Sequence, residues 1–245
     1  MIYKLEDASA AAALFSGWPD LCISSCLQGV MGSVFVTDPE HPRSAMAYLG
    51  EYAFCAGEPD RELALFTPRV PLIIVPLSGA WDALIGSLRP EARKAVRYAT
   101  RKDTVFDRER LSAFAAALPA GYELRAIEGA LLDRCFAEGR FAPFGTREGF
   151  IALGGRGFAV MKDGEPVAFA SSYSACREGI EVDVVTAESE RRKGLSTCAA
   201  AALILSCLDD GLYPSWDAAN TTSLHLARKL GYTFSREYTA YELDG

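Results

Sequence analysis

The chain has 245 residues, half of them hydrophobic and 23% charged, with a formal net charge of −7. This is ordinary globular composition, enough for one large domain or two modest ones with a buried core. The acidic balance argues against general nucleic-acid binding, which needs Lys and Arg to neutralise phosphates, and is compatible with a cationic small-molecule partner.

The opening stretch MIYKLEDASAAAALF carries acidic residues and lacks a continuous apolar core, unlike a signal peptide. No run approaches the ~20 apolar residues that span a bilayer. The seven cysteines (Cys22, Cys26, Cys55, Cys135, Cys176, Cys198, Cys207) include no Cys-x-x-Cys pair, and the two histidines, His41 and His225, lie far apart. That spacing offers no metal site. Reduced, packed cysteines and a cytoplasmic home are the expectation.

In the first half, Gly32 to Asp38 and Ala45 to Cys55 read as two strands joined by the turn-rich Pro39-Glu40-His41-Pro42. Leu72 to Leu77 is a short apolar strand, and Trp81 to Lys102 reads as a helix. On that helix Arg93, Arg97 and Arg101 would share one face. A solvated face is preferred there over a phosphate-contacting stripe. Leu118-Pro119-Ala120-Gly121 punctuates the chain as a linker would, dividing it into 1–118 and 119–245.

In the second half, Tyr122 to Ile127 predicts a strand and Gly129 to Glu138 a helix. Phe158 to Met161 and Val167 to Tyr173 flank Asp163-Gly164, a pair suited to the positive φ angles of a type I′ hairpin. Ile180 to Thr186 is the next strand. A helix from Ser196 to Asp209, a strand at Ser215 to Ala218, a helix from Thr221 to Leu230 and extended segments between Tyr232 and Leu243 follow. Hairpin first and strand–helix alternation afterwards make a mixed α/β fold. Gly32-x-x-Phe35 and Gly155-x-x-Phe158 echo one another, one short match that leaves duplication open.

Arg191-Arg192-Lys193-Gly194-Leu195-Ser196 lies between a strand and a helix. A helix N-terminus presents unpaired N–H groups and a partial positive charge, so anions bind there. Gly194 lets the loop turn sharply and a ligand approach the backbone. The three basic residues add charge, and Ser196 or Thr197 can cap the helix or donate to a phosphate oxygen. The helix behind is apolar nearly all round, hence buried and rigid. This is a pyrophosphate cradle, though neither a Walker loop nor a dinucleotide fingerprint.

A second motif runs from Trp216 to Tyr232 and contains Asn220, Ser223 and Lys229-Leu230-Gly231-Tyr232. Together the two resemble the GCN5-related N-acetyltransferase family. Its Gln/Arg-x-x-Gly-x-Gly/Ala loop matches Arg191 to Ser196, with serine at the last small position, and its Asn-x-x-Ala/Ser…Lys-Leu-Gly-Phe/Tyr segment matches Asn220 to Tyr232. The resemblance is close from Ile180 to Tyr232 and faint in the first half, where the layout is similar to a two-domain subfamily.

The resemblance implies a mainly antiparallel central sheet flanked by helices, with 119–245 binding acetyl-CoA and 1–118 a GNAT-like half without cofactor. It implies transfer of an acetyl group to an amine of a small molecule or peptide. Val184, Val185 and Thr186 would meet the pantetheine arm through their main chains, with one N–H stabilising the thioester oxyanion. Arg191, Arg192, Lys193, Gly194, Leu195, Ser196 and Thr197 would hold the pyrophosphate, and Asn220 and Ser223 would face the thiol end. Glu181 and Asp183, two apart on a strand, are the candidate bases. The family's tyrosine acid, seven positions beyond the motif asparagine, is Ala227 here. Tyr238 or Tyr241 would stand in, or no acid is needed. His225 is read as a surface or packing residue, and Phe136, Phe141, Phe144 and Phe150 as core rather than acceptor pocket. A silent CoA-binding module and a tandem aminoacyl transferase are the alternative readings.

Overall fold

The computed structural model describes residues 1–244 as a mixed α/β protein, its largely antiparallel sheets flanked by helices. The chain divides into two compact units: Met1–Arg97 with the segment from Glu237, and Tyr98–Arg236. Leu118-Pro119-Ala120-Gly121 therefore lies within the second unit, after a helix the sequence reading missed. Chain direction, not linker composition, sets the division, because the C-terminal segment returns to the first unit.

In the first unit, β1 (Tyr3–Lys4), β2 (Ser33–Val36), β3 (Ser44–Leu49), β4 (Tyr52–Gly57) and β5 (Leu72–Pro76) lie side by side in that order. The end of β13 (Phe234–Leu243) pairs antiparallel with β5. Helices α1 (Leu21–Leu27), α2 (Arg61–Leu65) and α3 (Gly79–Leu88) start at Asp20, Asp60 and Ser78, whose side chains each accept a first-turn N–H. Trp81 is fully buried among Met46, Leu63, Leu72, Ile74 and Ile85, and its indole N–H donates to the Gly57 carbonyl at 3.0 Å. Burial of this tryptophan anchors α3 on the sheet.

Two readings in this half are corrected. Ala45 to Cys55 is not one strand: the chain reverses at Gly50-Glu51 between β3 and β4. The helix expected over Trp81 to Lys102 stops at Leu88, because Pro90 disfavours helical geometry at Arg89, and Arg93–Thr100 forms strand β6. The arginine stripe does not exist. Arg93 pairs with Glu242, Arg101 pairs with Asp103, and Arg97 is buried against the Tyr238 hydroxyl (3.2 Å) and the Tyr52 ring.

In the second unit, α4 (Arg108–Ala116) precedes a five-stranded sheet. Its members are β7 (Glu123–Ala126), β8 (Gly157–Lys162), β9 (Glu165–Cys176), β10 (Gly179–Thr186) and β11 (Tyr213–Ser215). Only β10 and β11 run parallel. Helices α5 (Gly129–Ala137) and α6 (Arg147–Ala152) lie between β7 and β8, and α7 (Leu195–Asp209) forms the crossover from β10 to β11. The turn from β8 to β9 has φ of 50° at Asp163 and 83° at Gly164, as a type I′ hairpin requires. Ser215 to Ala218, expected as one strand, is divided at Trp216 into β11 and β12 (Asp217–Ala218), which pairs instead with Tyr98 and Ala99. The two extended segments expected after Tyr232 are the single strand β13. Helix α8 (Thr221–Leu230) matches its expected bounds and ends at Gly231.

Candidate functional site

The division at Trp216 opens the second sheet. Pairing of β10 with β11 covers Gly179, Ile180 and Glu181 only, and the following chain leaves for a different partner. The edge of β10 from Val182 to Thr186 is thereby splayed from its neighbour. Backbone N–H and C=O groups on such an edge are available to a ligand. Val184, Val185 and Thr186 all lie on this stretch, and the Thr186 hydroxyl oxygen is buried without a hydrogen-bond partner. An irregularity opposite Glu181 and Val182, where β9 carries one extra residue, bends the pairing just where the splay begins.

Glu181 is buried and accepts the backbone N–H of Asp217 at 2.7 Å, so it ties β10 to the start of β12 at the apex of the opening. Asp183, two residues on, is exposed. Protein atoms crowding its carboxyl raise its pKa above the ordinary value, against the opposing effects of the Val184 N–H and the Arg140 guanidinium. The two acids are thus adjacent in sequence pattern but different in circumstance.

From Thr186 a single 3-10 turn (Glu188–Glu190) leads into the basic loop. Gly194 is the residue before α7, with φ of 80°, and Arg192 also has positive φ, 65°. Alternation of φ sign over Arg191 to Gly194 turns successive N–H groups toward one side, a concavity that receives anions. No side chain caps α7, so the amides of its first turn have no side-chain acceptor. A Cβ built on Gly194 meets nothing within 4 Å, which leaves the approach to these amides open. The chain therefore fits a diphosphate here by its donors and by its space.

The three cations are not equivalent. Arg191 lies 3.8 Å from Glu188 on the exposed surface, and Arg192 has no ion pair among the described residues. Lys193 is occupied: its ammonium sits 2.7 Å from Glu190 and 3.2 Å from the Tyr122 hydroxyl. Glu190 is buried and also accepts from Lys162 at 2.8 Å and from Tyr122. These donors, Lys162 foremost, hold its carboxyl down at about 2. Lys193 thus fastens the loop to the β7–β8 side of the sheet. Sequence reasoning missed this clamp because its members are far apart along the chain.

Leu195 and Thr197 are buried, and Thr197 accepts from Lys229 of α8 at 3.4 Å, which links the two helices near the loop. Ser196 is partly exposed in the first turn. The Asn220 side-chain oxygen caps α8 by accepting the Ser223 N–H at 2.9 Å, and the Ser223 hydroxyl accepts the Trp216 indole N–H at 3.1 Å. Both motif residues therefore hold the strand–helix junction in shape. Ala227 is fully buried in α8, and His225 is exposed. The Tyr241 hydroxyl is bonded to Asp82 and that of Tyr238 accepts from Arg97, both within the first unit.

Phe141 and Phe150 pack at 4.5 Å between centroids, with Phe136 and Phe144 around them, forming the small core under α5 and α6. All seven cysteines are free and buried. Among the described residues no helix is long and apolar enough to cross a membrane.

Comparisons with known proteins agree with this fold. A family model described as GNAT acetyltransferase matches residues 12–241. A GCN5-related N-acetyltransferase-like protein from Streptococcus suis 89/1591 superposes with a TM-score of 0.92 at 40% identity, covering 97% of this chain and 98% of its own. The Bacillus subtilis (strain 168) protein named Uncharacterized N-acetyltransferase YdfB is 32% identical over 128 residues, 51% of this chain. The match spans about half, 49%, of that curated relative. A tandem GNAT protein from the clavulanic acid biosynthesis pathway shares the fold with a TM-score of 0.55 at 12% identity, over 99% of this chain and 98% of its own.

Proposed function

Because the chain belongs to the GNAT acetyltransferase family, we propose that it transfers an acetyl group from acetyl-CoA to an amine of a small molecule or peptide. The observation that carries this reading is the uncapped N-terminus of α7, set behind a φ-alternating basic loop with Arg192 unengaged. Arg192, the amides from Gly194 to Thr197 and Arg191 would hold the diphosphate. Lys193 would act from behind, through Glu190. The splayed edge at Val184, Val185 and Thr186 would receive the pantetheine arm, and one of its N–H groups would stabilise charge on the acyl oxygen. Asn220 and Ser223 would shape the wall near the thiol end by fixing α8.

When bound, acetyl-CoA supplies an acyl carbon whose leaving group is a thiolate, with a free thiol pKa near 8.5. Asp183 accepts the proton that the amine must lose. Glu181, buried and engaged by Asp217, keeps the cleft open as a positioning residue. A second reading, a CoA-binding module without turnover, draws on Ala227, which brings no acid to the helix.

Isothermal calorimetry with acetyl-CoA, paired with thiol release across amine acceptors, tests both readings. Arg192→Glu places a carboxylate beside the diphosphate and is expected to weaken binding by about 100-fold or more. Gly194→Asp puts a carboxylate into the open approach and acts in the same direction. Wild-type affinity in both variants would sink the assignment. Tight binding without thiol release from any acceptor would favour the second reading.

A further inference from the structure

Beside the splayed edge, the second sheet presents a small polar face whose register fixes its neighbours. Asp183 stands opposite Ser171, and Val185 stands opposite Phe169, so these four share one face of β9 and β10. Phe169 is 5% exposed, and the Arg140 guanidinium lies over its ring, 3.8 Å from the centroid. Arg140 lies three residues past the end of α5, and its backbone N–H is anchored to the Cys135 carbonyl at 3.0 Å. The phenylalanine core under α5 and α6 fixes that segment. A planar cation thus lies over the sheet, diagonal to an exposed carboxylate on the neighbouring strand.

We propose that this juxtaposition of Arg140 and Asp183 over Phe169 selects an acceptor that carries a carboxylate near its amine, the α-amino acid class. The proposal rests on the acetyltransferase reading above. The amine meets Asp183, and the acceptor's carboxylate accepts from the guanidinium edge left by Glu138, which engages Arg140 through Nε at 3.1 Å. Arginine suits a carboxylate because its planar fork donates two parallel bonds, and stacking on an aromatic ring leaves that fork unobstructed. Asp183 meets the ammonium end and takes its proton, for which its crowded carboxyl has raised affinity. In the transfer itself an N–C bond forms and the C–S bond breaks. The proton passes to Asp183, and the electron pair leaves with sulfur.

The experiment compares each amino acid with its decarboxylated amine, L-phenylalanine against phenylethylamine and L-lysine against cadaverine, in thiol-release assays on the full chain. The expected result is a kcat/KM at least about tenfold higher for the amino acid, the scale of one charge-assisted contact. Arg140→Met should erase that preference by raising KM for the acid, and Arg140→Lys should restore part of it. Equal rates for both members of a pair, or a preference that survives Arg140→Met, would overturn the proposal and leave the acetyltransferase reading standing. Binding of acetyl-CoA with no release from either member would overturn this acceptor class alone. Absence of acetyl-CoA binding in calorimetry would overturn both.

Discussion

At the scale of single residues, two acids separated by one valine have come to opposite conditions. Their spacing on a strand was legible in the sequence, because alternation follows from strand geometry. Their difference was not, since it depends on where Trp216 diverts the next strand and brings the Asp217 N–H to Glu181. Asp183 stays exposed with its pKa raised by crowding. A carboxyl whose folded pKa lies above its unfolded value adds stability fully present below the unfolded pKa, and loses it as pH rises through the folded one. At neutral pH the ionised group, the base proposed above, therefore costs stability. Asp183→Asn is expected to lower kcat at least about 100-fold, the usual scale of general-base catalysis. Its melting temperature at pH 7 should equal or exceed that of the wild type. The wild-type kcat/KM should fall as pH drops through a value above that of an ordinary aspartate. A variant that keeps full turnover would remove Asp183 from the chemistry.

At the scale of elements, the loop and helix proposed to meet the diphosphate were readable, and the clamp beneath them was not. The run Arg191 to Ser196, before an apolar helix, predicts an anion site by local physics alone. That Lys193 turns inward could not be read, because Tyr122, Lys162 and Glu190 converge only once β7 and β8 are paired. Helix α3 and strand β6 show the opposite failure. Regular spacing of three arginines imitated a helical face, while Pro90 and the strand-forming Val96 and Tyr98 carried the decisive signal. The clamp makes its own prediction. Glu190 has its pKa lowered from 4.5 to about 2, so its contribution to stability is present above pH 4.5 and is lost as pH falls toward 2. Glu190→Gln should flatten that part of the acid-denaturation profile. It should also weaken acetyl-CoA binding by several-fold, because the released loop must be ordered by the ligand. If Lys193 were instead a direct phosphate ligand, freeing it from Glu190 would tighten binding, which calorimetry distinguishes by sign.

At the scale of the whole molecule, two consecutive stretches of the chain repeat one order of elements. Strand, helices and a three-strand meander are followed by helix, strand, helix and strand, from β1 to β6 and again from β7 to β13. In each, the last meander strand pairs parallel with the next across a helix, β4 with β5 over α2 and β10 with β11 over α7. Gly32-x-x-Phe35 and Gly155-x-x-Phe158 enter the equivalent strands β2 and β8. So faint an echo is what physics leaves, since many sequences satisfy the same pattern of buried faces. Helix α7, proposed to meet the diphosphate, and its counterpart nevertheless differ in kind. Helix α7 has 15 residues and no side-chain cap, whereas α2 has 5 and begins at Asp60, whose carboxylate accepts the Leu63 N–H and the Thr37 hydroxyl. A carboxylate already seated on those amides repels a phosphate, and one turn of helix adds little dipole. Calorimetry should accordingly give one molecule of acetyl-CoA per chain, and Arg192→Glu should remove it without exposing a second. A stoichiometry of two, with one site surviving Arg192→Glu, would assign the first unit a donor site of its own.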